Sequence, residues 1–404
     1  MNKISSTISS YIQSLDSELR EFSLKMHARP EVAWEERKTH DLFIDFFKEK
    51  HKEWKITPHF GMETAFKMEF EHLPKGYRMK KGEKLPTIGF NSELDALPGI
   101  GHACGHNLIA IGGIAASLAV AAALVKHDIP GKVILLGTPA EEVGGGKIAL
   151  LDKGAYKDMD ACAMIHPAPL STIGSMLAVV TLEVTYTGRT SHAGAAPFEG
   201  INAQDAAVLA YNNIAVLRQQ LEPTTRTHGI IQGQNWAANV IPGKSKVLWM
   251  IRSTDIKKLK DVRDRVRNCF EAAGLATGCK VEIDEKPAYA DLRNQASMAA
   301  DYAQYMKEEY DETYATDSWA ASTDFGNVTY ALPAIHPIYA IPVKDPKTEG
   351  NHTVGFTAAA KTPEAHKLTL KAAEGIAIIG ARVVVEGEYR ERVRKEWEEW
   401  KSKQ

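Results

Sequence analysis

The chain has 404 residues, of which 44% are hydrophobic and 25% charged. This is an ordinary globular composition, which excludes wholesale disorder and fibrous repeats, and at roughly 150 residues per domain it predicts two domains or a large one with an insertion. Lys and Arg (49) nearly balance Asp and Glu (51) for a net charge of −2, so neither a basic face nor a nucleic-acid partner is expected. Four cysteines cannot form a disulfide framework in a chain this long, and reduced thiols in the cytoplasm are the simpler expectation.

Residues 1–20 mix Ser, Lys, Asp and Glu and lack the apolar core of a secretory signal. Up to about His51 apolar residues recur at helix spacing, around Leu42, Phe43, Phe46 and Phe47. Three short apolar runs follow, at residues 87–90, 133–136 and 161–165, separated by helix-like stretches. That alternation predicts an α/β fold with a mostly parallel sheet covered on both faces. Residues 108–125 form an unbroken apolar and small run, about the minimum length for a membrane span. Its Ala and Gly content, and the polar entry through His102, Cys104, His106 and Asn107, favour a helix buried on all sides and no membrane partner.

After Met176 the pattern changes. Val180, Leu182, Val184 and Tyr186 alternate with Thr181, Glu183, Thr185 and Thr187, the period of a strand with one wet face. Similar strands are predicted at residues 246–251 and 280–283, with helices at 203–221 and 256–273. Residues 178–290 therefore read as an α+β unit with an antiparallel sheet, inserted between segments 1–177 and 291–404 of the first fold. A buried strand is expected at 334–341, and the charged tail 386–404 reads as a solvated helix that needs no partner.

Chemistry is concentrated just beyond the buried strands. Residues 87–90 are followed by Glu93, Asp95 and then His102-Ala103-Cys104-Gly105-His106; residues 133–136 by Glu141-Glu142; residues 161–165 by His166. Open α/β sheets bind ligands outside the carboxyl ends of their strands. Taken singly, Cys104 reads as a small buried hydrophobe, the paired glutamates as surface charge and His166 as a packing residue. Together they deliver thiolate, imidazole and carboxylate to one edge, a donor set suited to zinc and its neighbours.

The motifs Gly101-His102-Ala103-Cys104-Gly105-His106-Asn107, Pro139-Ala140-Glu141-Glu142 and Thr190-Ser191-His192-Ala193 resemble the M20 metallopeptidase family, and within it the amidohydrolase branch, where cysteine replaces a bridging aspartate. Phe198-Glu199-Gly200-Ile201-Asn202-Ala203, Asn239-Val240-Ile241-Pro242, Ser322-Thr323-Asp324-Phe325-Gly326-Asn327-Val328 and Asn351-His352-Thr353 resemble its dipeptidase type that acts before a basic C-terminal residue. The resemblance implies a metallopeptidase domain formed by 1–177 and 291–404, a lid and dimerisation domain at 178–290, and a homodimer. It implies two divalent cations, zinc or manganese, held by Cys104, His106, Glu142, His166 and His352. Glu141 is the implied general base, the reverse assignment of Glu141 and Glu142 being the alternative. Asp95 either orients a ligand imidazole or caps the following turn.

His192 is the implied donor to the developing oxyanion, across a dimer interface, with a plain surface histidine as the alternative. Asn239 is expected to contact the substrate carbonyl or carboxylate. Arg252 either binds a carboxylate or pairs within the sheet. Ser322, Thr323 and Asp324 would offer backbone N–H groups to a substrate carboxylate, unless Asp324 is only a cap. The implied activity is metal-dependent hydrolysis of the amide bond of a small dipeptide. The alternatives are an N-acyl amino acid amidohydrolase, a biosynthetic homologue forming an amide at the same site, and a catalytically silent scaffold.

Overall fold

The computed structural model describes residues 1–79, 82, 84–233 and 235–404. The chain divides into two compact units, one comprising Met1–Ser175, Arg293–Trp319 and Asp324–Gln404, the other Met176–Leu292 and Ala320–Thr323. By sequence alone residues 320–323 go with the C-terminal segment; in the structure they cluster with the second unit, where the Ala321 carbonyl accepts the Leu177 N–H.

The first unit is mixed α/β. Its six-stranded sheet runs, in spatial order, Lys55–Pro58, Phe66–His72, Gly131–Thr138, Thr87–Glu93, Ala161–Ala163 and Ala334–Ile335. The last four strands are parallel, and the first two form an antiparallel edge. Every residue of Thr87–Glu93 is buried, which explains why its apolar run shows no alternation: both faces are covered. The edge strand Lys55–Pro58 is too short and polar to stand out in the sequence, whereas in Phe66–His72, paired on both sides, Phe66, Met68 and Phe70 alternate with Lys67, Glu69 and Glu71. The apolar run at 161–165 breaks after Ala163 and resumes as His166–Ala168, which pairs with Ile338–Ala340 in a separate two-stranded sheet. The run at 334–341 breaks at His336-Pro337, where proline lacks the N–H a ladder requires.

Helix His106–Lys126 has the length and apolarity of a membrane span, but it is enclosed by the protein. Strand Thr87–Glu93 and helices Asn2–Ser14, Asp16–His27 and Pro363–Val385 pack around it. A helix apolar all round is stable in water only when wrapped in this way. Gly113 lets it ride directly on the sheet, for a Cβ there would lie 2.7 Å from the backbone oxygen of Asn91.

The second unit is an antiparallel sheet in the order Lys280–Glu285, Ala178–Thr187, Lys244–Ser253 and Arg226–Gly233. Val180, Leu182, Val184 and Tyr186 are buried with residues of helices Ala203–Leu217 and Ile256–Thr277. The side chains of Asn202 and Asp255 cap those helices by accepting N–H groups of their first turns. Strand Arg226–Gly233, which its exposed polar residues conceal in the sequence, forms one edge of this sheet.

The close approach at Gly113 makes a specific demand. Gly113→Ala should destabilise the protein by about 1–3 kcal/mol through overpacking, read as a lower urea midpoint with an unchanged m-value. A wild-type midpoint would show that the helix does not rest on the strand backbone at this point.

Candidate metal centre

Four backbone features carry side chains to the carboxyl edge of the parallel strands. Strand Thr87–Glu93 ends at Glu93 itself, with Asp95 two residues beyond. The turn at Gly105 has φ 78°, and a Cβ there would come 2.5 Å from Pro167 Cγ, so glycine is required between Cys104 and His106. Strand Gly131–Thr138 runs into Pro139-Ala140-Glu141-Glu142, with Ala140 held in the left-handed region at φ 54°. The buried carboxylate of Glu36 clamps this turn: Oε1 accepts N–H groups from Ala140 (2.8 Å) and Trp34 (3.0 Å), and Oε2 accepts the Thr64 hydroxyl (2.8 Å). His352, also left-handed at φ 68°, is tied by its N–H to the Ala103 carbonyl at 2.8 Å.

These features bring all five expected ligand residues together. Donor atoms of Cys104, His106 and His166 lie within 4.8 Å of one another, and so do those of Cys104, Glu142 and His352. The sulfur is common to both groups. Cys104 Sγ is 3.3 Å from His166 Nε2, His352 Nε2 is 3.3 Å from Glu142 Oε2, and His106 Nε2 is 3.7 Å from Glu142 Oε1. The rings are oriented from behind: His106 Nδ1 donates to the Asp95 carbonyl (2.7 Å), with Asp95 Oδ1 at 3.2 Å, and His166 Nδ1 donates to the Pro167 carbonyl (2.8 Å). Each Nε2 is thereby left as the free lone pair. Asp95 Oδ2 also accepts the Glu142 N–H at 3.0 Å, so its side chain joins two candidate ligands instead of capping a turn. Glu141 has a different setting from Glu142, grouping with Glu93 and His106.

The electrostatics follow from burial. Three carboxylates face His106 Nε2: Glu93 at 3.2 Å, Glu142 at 3.7 Å and Glu141 at 3.9 Å. Burial lowers the His106 pKa, but Glu93 and Asp95 outweigh it and hold the ring well above its ordinary value. Burial, then the charge of Glu142, pushes the Cys104 thiol up. Burial, then Glu93 and Glu142, pushes the Glu141 carboxyl up. Glu93 Oε2, His106 Nε2 and Glu142 Oε1 are buried without a hydrogen-bond partner. Unpaired buried charge of this kind is costly, and thiolate, imidazole and carboxylate together fit divalent cations of the zinc and manganese class.

The remaining expected residues lie in the second unit. His192 is exposed, and its Nδ1 accepts the N–H groups of Gly194 (3.2 Å) and Ala195 (3.1 Å), so a neutral ring carries its proton on Nε2. Asn239 is exposed beside it, its carbonyl accepting the Ala193 N–H at 3.0 Å. Half-buried Arg252 donates to Ser322 Oγ at 2.7 Å and has no carboxylate partner among the described residues. Thr323 is buried. Asp324, in the first unit, does not cap its own helix: Oδ1 accepts Lys147 Nζ (2.6 Å) and Oδ2 the Lys147 N–H (2.9 Å).

Several residues of the centre escape a sequence reading. Lys147 is fully buried and bridges Asp324 and Glu93, both at 2.6 Å; after three glycines it reads as a helix-start residue facing water. Glu36 lies in the run Glu35-Glu36-Arg37, which reads as surface. His336 is buried with both ring nitrogens unpartnered, its ring centroid 5.5 Å from that of His166. A histidine inside the apolar run Ala334-Ile335-His336-Pro337-Ile338 was the available signal.

Sulfur, imidazole and carboxylate gathered at the carboxyl edge of a mostly parallel sheet, with a buried glutamic acid alongside, define a metallohydrolase type of site. The chain belongs to the peptidase family M20/M25/M40, whose profile matches residues 89–387. It is 40% identical to the mouse Xaa-Arg dipeptidase over 91% of this chain and 86% of that protein. It is 28% identical to one component of the Escherichia coli p-aminobenzoyl-glutamate hydrolase, over 52% of this chain and 48% of the relative. A dinuclear metal-binding M20 peptidase from Bacillus subtilis shares the fold with a TM-score of 0.66 at 17% identity, covering 92% of this chain and 99% of its own.

Burial also sets a pH dependence. Burial and the neighbouring His166 lower the His336 pKa to about 3, whereas an unfolded ring titrates near the ordinary value of 6.5. As pH falls through this window the unfolded chain takes up a proton that the folded ring refuses. The stability this ring contributes is therefore present above about pH 6.5 and is lost on acidification, by at most about 1.4 kcal/mol per pH unit. Urea midpoints of metal-free wild type and His336→Phe between pH 7 and pH 5 should diverge, with the variant less sensitive to acid. Parallel curves would rule out a buried neutral imidazole.

Proposed function

We propose that the protein is a dinuclear metal-dependent dipeptidase that hydrolyses the amide bond of small dipeptides with a basic C-terminal residue. The observation that carries this reading is the convergence of Cys104, His106, His166, Glu142 and His352 beside a buried Glu141. Likeness to the mouse Xaa-Arg dipeptidase over most of both chains supports the substrate class. Cys104, His106 and His166 would hold one divalent cation, zinc or manganese, and Cys104, Glu142 and His352 the other; when bound, the pair polarises the scissile carbonyl and acidifies the attacking water.

The chain's own residues do the rest. Glu141, its carboxyl pushed up by burial and by Glu93 and Glu142, is poised to accept a proton from water and return it to the leaving amine. Asp95 holds His106 and Glu142 in register. The outward Nε2–H of His192 is suited to donate to the developing oxyanion, supplied by the second copy in a homodimer. The exposed edge strand Arg226–Gly233, with Ile230 exposed on it and Val208, Tyr211 and Val216 exposed on helix Ala203–Leu217, supports association with a second copy. Arg252, with Ser322, Thr323 and Asn239, is assigned to the substrate's carboxylate and carbonyl. Four free cysteines suit a reducing cytoplasm. A second reading, hydrolysis of an N-acyl amino acid, is favoured by the likeness to the p-aminobenzoyl-glutamate hydrolase.

A panel of dipeptides, including β-alanyl-lysine, and N-acyl amino acids separates the two readings. Basic dipeptides should be the preferred substrates, and preference for N-acyl amino acids would establish the second reading. Glu141→Gln should lower kcat by about 10²–10⁴-fold with metal content retained, and chelation should abolish turnover of the wild type. A variant or a chelated enzyme with full activity would remove the hydrolase mechanism. His192→Ala should lower kcat by about 10²–10³-fold with unchanged metal content, and an unaltered kcat would remove the oxyanion role.

A further inference from the structure

Glu93 stands apart from the five expected ligands, yet it is placed as one. Its side chain is wholly buried at the end of strand Thr87–Glu93. Oε1 accepts Lys147 Nζ at 2.6 Å, and Lys147 is itself pinned by Asp324 through both its ammonium (2.6 Å) and its backbone N–H (2.9 Å). Glu93 therefore cannot swing away. Oε2 has no hydrogen-bond partner and lies 3.2 Å from His106 Nε2, which has none either. That nitrogen is the lone pair that the contact of Nδ1 with Asp95 turns toward a cation.

We propose that Glu93 is a sixth ligand of the metal centre, binding through Oε2 the cation that His106 binds, with Lys147 and Asp324 as its positioning residues. This rests on the reading of Cys104, His106, His166, Glu142 and His352 as a dinuclear site. The donor spacing fits: two ligands each about 2 Å from one tetrahedral ion stand roughly 3.3 Å apart. The charge fits as well. Two carboxylates against one ammonium leave a net negative charge in a dry interior, which a divalent cation would balance. Buried ion triads of this kind are poor stabilisers compared with apolar packing, whereas fixing a ligand is a use that repays the desolvation.

The test is metal binding, independent of turnover. Wild type, Glu93→Gln and Glu93→Asp are stripped of metal, checked for folding by near-ultraviolet circular dichroism, and titrated with Zn²⁺ against a chromophoric chelator; Co²⁺-loaded samples give visible spectra. Wild type should bind two cations. Both variants should bind one of them at least about tenfold more weakly, with an altered Co²⁺ ligand-field band. Glu93→Asp keeps the charge beside Lys147 while withdrawing the carboxylate, so it decides the matter if Glu93→Gln does not fold. Two cations bound at wild-type affinity with a wild-type spectrum would overturn the sixth ligand and leave the dinuclear reading standing. A wild type without stoichiometric metal would overturn both.

Discussion

The structure is organised around buried negative charge that must be balanced. Glu93, Asp95, Glu141 and Asp324 are buried and Glu142 nearly so, against the single ammonium of Lys147 among the described residues of this centre. Removing carboxylates from water costs several kcal/mol each, even after relaxation. The histidines respond differently because their surroundings differ. His106, faced by carboxylates, holds a proton far more tightly than usual, while His166 is pushed down to about 4 by burial despite the charge of Glu93. A divalent cation held by His106 and Cys104, as proposed, would replace the protons of both at once, since a coordinated thiol is deprotonated outright. The interior is thus built for a charge that side chains alone do not supply.

Holding such a cluster requires backbone in unfavourable conformations. Ala140 and His352 both sit in the left-handed region, at φ 54° and 68°, a strain of about 1–3 kcal/mol each for residues with a Cβ. Both are secured by hydrogen bonds: Ala140 by buried Glu36, His352 by the Ala103 carbonyl between candidate-site residues. Strain on the residue before Glu141 decides where that side chain can point, so Glu36 acts on the cluster from outside it. The same logic explains why Gly146 follows, since a Cβ there would collide with the Pro139 carbonyl and push the turn open.

What the sequence made legible divides along physical lines. Strands Thr87–Glu93 and Gly131–Thr138 are covered on both faces, so their apolar runs stand out, and the wet-faced strand Ala178–Thr187 announces itself by alternation. Edge strands such as Lys55–Pro58 and Arg226–Gly233 carry water-facing polar residues and leave no such mark. In the same way Cys104, His106, Glu142 and His166 could be picked out because each closely follows a buried run. Lys147 and Glu36 could not, because burial of a polar residue depends on tertiary partners far away along the chain, Asp324 for Lys147 and Ala140 for Glu36, and His336 was marked only by its place inside an apolar run.

Lys147 carries this contrast furthest. An apolar residue at its position would spare the desolvation of an ammonium and of the two carboxylates beside it, and replacing buried ion pairs by hydrocarbon often stabilises a protein. It would also release Glu93 and Asp324 as like charges in a low-dielectric interior, each driven to take up a proton. Burial and the neighbouring charge of Glu93 raise Asp324 to about 6 even with the lysine present, while Glu93 is held down to about 2 by Lys147, His106 and His166 against the effect of burial. The pair is thus uneven: His106 and His166 add to Lys147 in keeping Glu93 ionised, while Asp324, beside the charge of Glu93, stays raised. That asymmetry has no value for packing, but it gives a fixed anion at the end of a central strand, oriented at His106 before any cation arrives.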